Sequence, residues 1–174
     1  MLILTGERGC GKTTFLQRLI LEGDLAVQGF LSLKIVENGV PVGIRLLTLP
    51  WREEIFMGVA TPDRTKPLST GHYAFESEAF DRVDERFKSF DAGLPFVLDE
   101  FGRLEMKGLG HFNLFQKLVA AGLKLLVVVR RDLLDQFLER YAASSDTVVL
   151  DLESGDEGLE RRVYDYLAPA EMTH

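Results

Sequence analysis

The sequence predicts an α/β fold: a mostly parallel sheet with helices on both faces and an antiparallel β-hairpin at one edge. Strand-length apolar runs alternate with helix-length amphipathic runs along the 174 residues, an order typical of parallel sheets. A glycine-rich turn over 6–13 joins the first strand to the first helix. The pair Asn38-Gly39 separates two strand-like runs and indicates a hairpin, because both residues tolerate positive φ.

The first half of the chain supplies a strand, a helix and the hairpin. We predict a strand over 1–5, a helix from near 12 to about 22, and hairpin strands over 27–36 and 40–49. Gly29 and Gly43 fall inside the hairpin strands. We interpret them as ordinary strand glycines rather than as points of close packing.

The stretch from 50 to 73 is the least regular part of the sequence. It combines three prolines with the basic residues Arg52, Arg64 and Lys66. Loops of this length inside a domain are often functional, so a lid over a bound phosphate compound is one interpretation. A solvated surface loop is the other, and the sequence does not choose between them.

The second half of the chain continues the alternation. We predict a helix over 75–90, a strand over 94–100, a helix over 109–121, a strand over 123–129, a helix over 132–143, a strand over 147–152 and a helix over 159–167. Gly122 fits the C-terminal end of the third helix, and Asp132 fits the N-cap of the fourth. One domain over 1–174 accommodates all of these elements.

The glycine-rich turn is a complete phosphate-binding loop of the form G-x-x-x-x-G-K-[ST]. Its glycines allow backbone angles that direct successive N–H groups inward, and the following helix adds its positive end. Lys12 is expected to reach the β- and γ-phosphates, and the Thr13 hydroxyl to bind Mg²⁺. The predicted nucleotide-binding residues are Gly6, Glu7, Arg8, Gly9, Cys10, Gly11, Lys12, Thr13 and Thr14.

Two acids end the strand predicted over 94–100. Asp99 is placed to hold Mg²⁺ through a bound water molecule, and Glu100 to orient the water molecule that attacks the terminal phosphate. Side chains alternate along a strand, so both acids serve one site only if the strand ends there. The alternative is a solvated acidic strand end.

Arginines follow both this strand and the next one. Arg103 and Glu105 either belong to the site, where they orient Glu100 or touch the nucleotide, or form a surface ion pair. Arg130 and Arg131 follow the strand over 123–129. If that strand lies between the first strand and the Asp99 strand, one of the two arginines can face the terminal phosphate. The sequence does not decide between them, and Arg130 is the candidate catalytic residue. The alternative is a pair of surface arginines.

Composition excludes several other classes of protein. A net charge of −7 argues against a non-specific nucleic-acid binder, and a single cysteine excludes an internal disulfide. The phosphate loop begins close to Met1, and no apolar run has the length of a membrane span, so we expect a cytoplasmic protein without a membrane partner. The three histidines are scattered and are predicted to have surface or packing roles. Cys10 is either a redox-sensitive thiol or a small space-filling residue.

The order of these motifs resembles the cancer-related (THEP-type) nucleoside-triphosphatase family. The resemblance spans roughly 1–129 and is carried by the phosphate loop, Gly29-Phe30, Gly71 with Tyr73, and above all the run Asp99-Glu100-Phe101-Gly102-Arg103-Leu104-Glu105. It implies a three-layer P-loop NTPase sandwich with an added strand and a catalytic glutamate. It also implies Mg²⁺-dependent hydrolysis of ATP, GTP and other triphosphates to diphosphate and phosphate. The departures from the family pattern are residues 31–34 and Arg130-Arg131.

The sequence therefore favours a triphosphatase of broad base specificity in which Glu100 activates water. Two alternatives stay open. The first is a kinase of a nucleotide or other small molecule, with the 50–73 stretch as its lid. The second is a nucleotide-gated switch, in which Trp51 and Phe56 contact a protein partner.

Overall fold

The computed structural model describes residues 1–61, 68–142 and 146–168. The elements in chain order are β1 (Leu2–Thr5), α1 (Lys12–Glu22), β2 (Gln28–Glu37), β3 (Val40–Leu49), β4 (Glu54–Val59), β5 (Ala74–Phe75), α2 (Ser77–Arg86), β6 (Phe96–Phe101), α3 (Phe112–Ala120), β7 (Leu125–Val129), α4 (Leu134–Tyr141), β8 (Val148–Asp151) and α5 (Leu159–Leu167). The predicted lid residues Arg64 and Lys66, and the end of the fourth predicted helix, lie outside the described residues.

The described strands form one sheet in the order β5-β4-β3-β2-β6-β7-β1-β8. Strands β2, β6, β7, β1 and β8 are parallel to one another. Strands β3, β4 and β5 extend the sheet from β2 in antiparallel pairs. The predicted architecture is confirmed, with the antiparallel part at one edge. Strand β7 lies between β1 and β6, which meets the condition set for an arginine at the terminal phosphate.

The antiparallel edge is larger than the predicted hairpin. Strand β4 lies inside the stretch predicted to be irregular, where Ile55 and Met57 pack inward and Glu54 and Phe56 are exposed. Nearby prolines and glycines obscured this alternation. The helix predicted over 75–90 begins only at Ser77, because the preceding pair forms β5 against β4.

The fourth predicted helix begins two residues later than expected. Asp132 lies in a 3-10 turn rather than at the N-cap of α4, and its carboxylate binds the Arg130 guanidinium at 2.6 Å. The N-cap prediction for Asp132 is wrong because a neighbouring arginine is a stronger partner than a backbone N–H.

The sheet separates two hydrophobic clusters. Helices α2, α3 and α4 cover one face, and α1 and α5 cover the other. Strand β7 contributes alternate residues to both faces and is fully buried, as expected for a central parallel strand. These two layers leave the carboxyl ends of β1, β6 and β7 open at one edge, where ligands of such sheets bind.

Gly29 is a point of close contact between β2 and β6. Its φ is +122°, and a Cβ atom at this position would lie 2.0 Å from the Val97 carbonyl oxygen. The interpretation of Gly29 as an ordinary strand glycine is therefore wrong. At Gly43 the Gly58 carbonyl oxygen would lie 2.9 Å from an added Cβ, so this second glycine is also closely packed.

Replacing Gly29 by alanine should lower the free energy of unfolding by at least about 3 kcal/mol, through steric overlap added to backbone strain. Gly39→Ala is the matched control, because Gly39 also has positive φ (+80°) but an added Cβ there meets no atom within 4 Å. Urea unfolding of both variants measures the difference. Equal losses would show that the contact with Val97 does not constrain the sheet.

Within the described ranges, no helix has both the length and the apolar character needed to cross a membrane.

Candidate active site

The phosphate loop forms an open cradle at the end of β1. Gly6, Gly9 and Gly11 have φ values of +149°, +83° and +97°, which side chains rarely adopt. A Cβ atom added to Gly9 or Gly11 would meet nothing within 4 Å, so the backbone faces open space there. The loop borders a cleft of about 790 Å³. Its conformation is that of a backbone anion site.

The N-terminus of α1 borders the same space, and the first N–H groups of a helix have no partner within the helix. No side chain caps this helix, and its first turn contains no acidic residue. The Lys12 ammonium is buried and donates to the carbonyl oxygens of Gly6 at 2.9 Å and Glu7 at 2.7 Å. Thr13 and Thr14 line the cleft beside it. Positive charge and free donors thus converge where phosphate oxygens would lie.

Residues from β8 and the following turn hold the loop from its outer side. The Glu7 amide donates to the Glu153 carboxylate at 2.7 Å rather than into the cradle. Arg131 donates to the Glu7 side chain at 3.1 Å and to Asp151 at 2.6 Å. This arginine therefore supports the loop and faces away from the acids of β6.

Cys10 has a packing environment. Its Sγ lies 3.6 Å from the Lys12 ammonium and would lie 2.7 Å from a Cβ atom added to Gly6. A larger side chain would meet the same neighbours, which supports the interpretation of Cys10 as a small space-filling residue.

Asp99 is a buried carboxylate between the loop and β2. It is 1% exposed, and its oxygen accepts the Ser32 amide at 3.0 Å and the Thr13 hydroxyl. Burial raises the pKa of Asp99 to about 7, partly offset by the hydrogen bonds from Ser32 and Thr13 and by the charge of Lys12, and increased further by Glu100.

The residues present fit the magnesium ion predicted from the sequence. The Thr13 hydroxyl lies close enough to the Asp99 carboxylate to lower its pKa, and both are oxygen ligands of the kind that Mg²⁺ prefers. Among the described residues, no group of three or more histidine, cysteine, aspartate or glutamate side chains could hold a metal ion. Mg²⁺ in phosphate-loop enzymes needs no such group, because substrate phosphates and water complete its coordination.

Glu100 follows Asp99 and also lines the cleft. The sequence predicted that this strand ends at Glu100, but strand β6 continues to Phe101. Its pairing with β7 shifts register between Leu98 and Phe101, and the Asp99–Glu100 peptide is cis. Both acids border the cleft although they are neighbours in a strand.

Arg130 is the arginine that faces Glu100. Its Nε lies 4.0 Å from a Glu100 carboxylate oxygen, and its side chain is only 17% exposed. Asp132 accepts from Arg130 at 2.6 Å and from Arg103 at 3.4 Å, so one carboxylate fixes both guanidinium groups. Arg103 and Arg130 both line the cleft. The two neighbouring arginines 130 and 131 thus face opposite sides of the phosphate loop.

Glu105 shapes the segment that follows Glu100. It is buried and accepts the backbone N–H groups of Gly102 at 2.9 Å and His111 at 3.0 Å. Burial raises the pKa of Glu105 to about 7, against the effect of these hydrogen bonds. The alternative of a surface pair between Arg103 and Glu105 is wrong, since Arg103 pairs with Asp132 instead.

Two histidines border the cleft, and no sequence signal marked either of them as part of it. His72 is exposed and contacts Arg8 of the phosphate loop across 64 residues of sequence. Its pKa is lowered by desolvation and by the charges of Arg8, Arg130 and Arg103. These contacts come from the fold alone, so spacing along the chain does not reveal them.

His111 is buried between two aromatic rings. Its ring centroid lies 4.6 Å from that of Phe30 and 4.8 Å from that of Phe80. Burial lowers the pKa of His111 to about 3, so the ring is neutral at physiological pH. The packing role predicted for the histidines agrees with this environment.

We expect His111→Phe to stabilise the fold increasingly as pH falls. Below about pH 6.5 the unfolded histidine binds a proton that the folded ring does not, so the wild type loses stability down to about pH 3. Phenylalanine removes this loss, and the difference should grow by about 1.4 kcal/mol per pH unit. Urea unfolding between pH 7.5 and 5 measures it. A difference that is independent of pH would contradict the buried neutral ring.

A phosphate loop after β1, and acids on β6 with β7 between the two strands, define a P-loop nucleoside-triphosphate-binding fold. A family model described as NTPase matches residues 1–161. The chain therefore belongs to this family of nucleoside triphosphatases, which are hydrolases, and the resemblance predicted from the sequence is confirmed.

Individual relatives agree with the family assignment. The protein called nucleoside-triphosphatase THEP1 from Methanocaldococcus jannaschii is 27% identical over 145 residues, covering 80% of this chain and 83% of the relative. The protein of the same name from Thermotoga sp. (strain RQ2) is 23% identical over 155 residues, covering 87% and 85%.

Two solved structures share the fold. The crystal structure of THEP1 from Aquifex aeolicus has a TM-score of 0.70 at 16% identity and covers 96% of this chain and 99% of that chain. The solution structure of a human cancer-related nucleoside triphosphatase has a TM-score of 0.66 at 17% identity, covering 94% and 93%.

Proposed function

We propose that the cleft hydrolyses ATP, GTP and other nucleoside triphosphates to diphosphate and phosphate, with Mg²⁺ as cofactor and without strong preference for a base. The observation that carries this proposal is the position of Glu100. Its carboxylate borders the same cleft as the phosphate loop and has Arg130 at 4.0 Å. A base and a fixed positive charge therefore flank the space beside the loop.

The chemistry follows from the charges at the site. Lys12 and the loop N–H groups bind the β- and γ-phosphates. Glu100 orients a water molecule for attack on the γ-phosphorus and accepts its proton, and Arg130 stabilises the negative charge that develops on the phosphoryl oxygens. Thr13 and Asp99 would hold Mg²⁺, which supplies further charge neutralisation. Arg103 acts through Asp132, which positions Arg130.

Broad base specificity is supported by the lack of a guanine-specific motif, since the sequence has no Asn-Lys-x-Asp run. The names of the relatives specify nucleoside triphosphates without a base. We further propose that the protein is a single domain over 1–174, is located in the cytoplasm and has no nucleic-acid or membrane partner. These points rest on the net charge of −7 and on the composition of the chain.

Phosphate release from ATP, GTP, CTP and UTP, without any added acceptor, tests the proposed function. We expect release from all four with Mg²⁺ and none after chelation with EDTA. Release from a single triphosphate would contradict broad specificity, and unchanged release in EDTA would contradict the metal requirement. Release that requires an added acceptor would identify a kinase instead.

A further inference from the structure

The cleft continues past Glu100 into a part with different walls. We define the aromatic compartment as the cleft region lined by Ile44, Leu46, Met57, Phe75, Phe80 and His111. These side chains come from β3, β4, β5 and α2 and from the segment before α3, and none of them carries a charge. The phosphate chemistry proposed above uses none of them.

His111 carries one of four buried side-chain atoms that have no hydrogen-bond partner among the described residues; the others belong to Thr5, Arg45 and Arg86. Its ring is 6% exposed, and Nδ1 has no hydrogen-bond partner among the described residues. The ring borders the cleft and contacts the rings of Phe30 and Phe80. A buried polar atom without a partner is rare in folded proteins and calls for an explanation. The imidazole therefore brings hydrogen-bonding capacity to a wall of the cleft that is otherwise apolar.

The compartment lies on the far side of the acids from the phosphate loop. In the sheet, β3 is four strands away from β1, with β7, β6 and β2 between them. At a spacing of about 4.8 Å, this separates the two strands by roughly 19 Å. If the γ-phosphate faces Glu100, as the proposed function requires, the nucleoside end of the same triphosphate leads away from the acids. The occupant of the compartment is then a second molecule.

We propose that the aromatic compartment binds the planar heterocycle of a second ligand, such as the base of a nucleoside, beside the triphosphate site. Its flat apolar walls suit a ring, and the neutral imidazole can donate or accept one hydrogen bond at the edge of that ring. Lys34, which pairs in register with Ile44, also lines the cleft and provides a polar contact for groups attached to the ring.

Adenosine, guanosine, cytidine and uridine are suitable probes because they have the heterocycle but no phosphate. Isothermal titration calorimetry with each nucleoside is performed with and without a saturating β,γ-imido triphosphate analogue and Mg²⁺. We expect at least one nucleoside to bind wild type in both conditions. Displacement by the analogue would place the probe in the triphosphate's own base site and overturn the proposal, as would the absence of binding by all four.

Variants separate the compartment from the phosphate site. His111→Phe keeps the packing and should weaken nucleoside binding about tenfold, which corresponds to one lost hydrogen bond. Ile44→Trp fills the compartment from a half-buried wall position and should abolish binding. Lys12→Ala should leave the nucleoside affinity unchanged. Unaltered affinity in both His111→Phe and Ile44→Trp would overturn the proposal.

Triphosphate hydrolysis is measured on the same wild-type preparation. A wild type that hydrolyses triphosphate and binds no nucleoside would refute the compartment alone. A wild type that binds a nucleoside in the compartment and does not hydrolyse triphosphate would refute the proposed function, and with it the assignment of the occupant as a second molecule.

Discussion

Glu100→Gln should bind triphosphate as wild type does and lose turnover by a factor of roughly 10²–10⁴. Glutamine keeps the size of the side chain and its ability to hydrogen-bond water, but it cannot accept the proton. Glu100 is partly exposed and contacts Arg130 at a distance of 4.0 Å, so the substitution removes little packing. The measurements are kcat from phosphate release and Kd from a fluorescent triphosphate analogue.

Glu54→Gln is the matched control for Glu100→Gln. Glu54 is an exposed glutamate of β4 that pairs with Arg45 and does not line the cleft. We expect wild-type turnover from this variant. Full activity of Glu100→Gln would remove Glu100 from the mechanism, and parallel losses of kcat and affinity would assign it to binding instead.

Arg130→Ala should lower kcat by a factor of roughly 10³ or more, the range found for arginines that stabilise phosphoryl-transfer transition states. Arg130 is held by Asp132 on the Glu100 side of the loop, with its guanidinium already fixed. A fixed charge needs little reorganisation during reaction, which is why its loss affects kcat more than Kd.

Arg131→Ala tests the same prediction from the next position in the chain. This side chain pairs with Asp151, Glu153 and Glu7 on the outer side of the loop. We expect a modest change in triphosphate affinity and a much smaller change in kcat than for Arg130→Ala. The reverse ranking of the two variants would contradict the assignment of Arg130 to the terminal phosphate.

The parts of the fold predicted from the sequence are those with local signals. The phosphate loop has fixed spacing and requires positive φ at its glycines, and the structure has that conformation at Gly6, Gly9 and Gly11. The buried parallel strand β7 is a continuous apolar run, and α5 is found over 159–167 as predicted. In these segments, short-range patterns and burial agree.

The parts that were missed depend on contacts between distant residues. Gly29 is required because β2 approaches the Val97 carbonyl of β6, which no pattern within β2 indicates. The choice between Arg130 and Arg131 depends on Asp132, Asp151 and Glu153, whose positions follow from the sheet order. The requirement for Gly29 and the different positions of the two arginines therefore result from tertiary packing.

In the alternative of a nucleotide-gated switch, Trp51 and Phe56 were predicted to contact a protein partner. Trp51 is 45% exposed, yet its ring packs 5.6 Å from the Phe87 ring and 4.0 Å from the Arg86 guanidinium. Phe56 is exposed on β4. The indole therefore has a role within the fold, and a protein partner stays a prediction that these contacts do not require.

The most direct test of water attack on the γ-phosphate is hydrolysis of ATP by wild type in H₂¹⁸O, followed by mass spectrometry of both products. We predict that each released phosphate carries a single ¹⁸O atom and that the nucleoside diphosphate carries none. Label in the diphosphate would show attack at the β-phosphorus. No release of phosphate in the absence of an acceptor would contradict hydrolysis by this cleft.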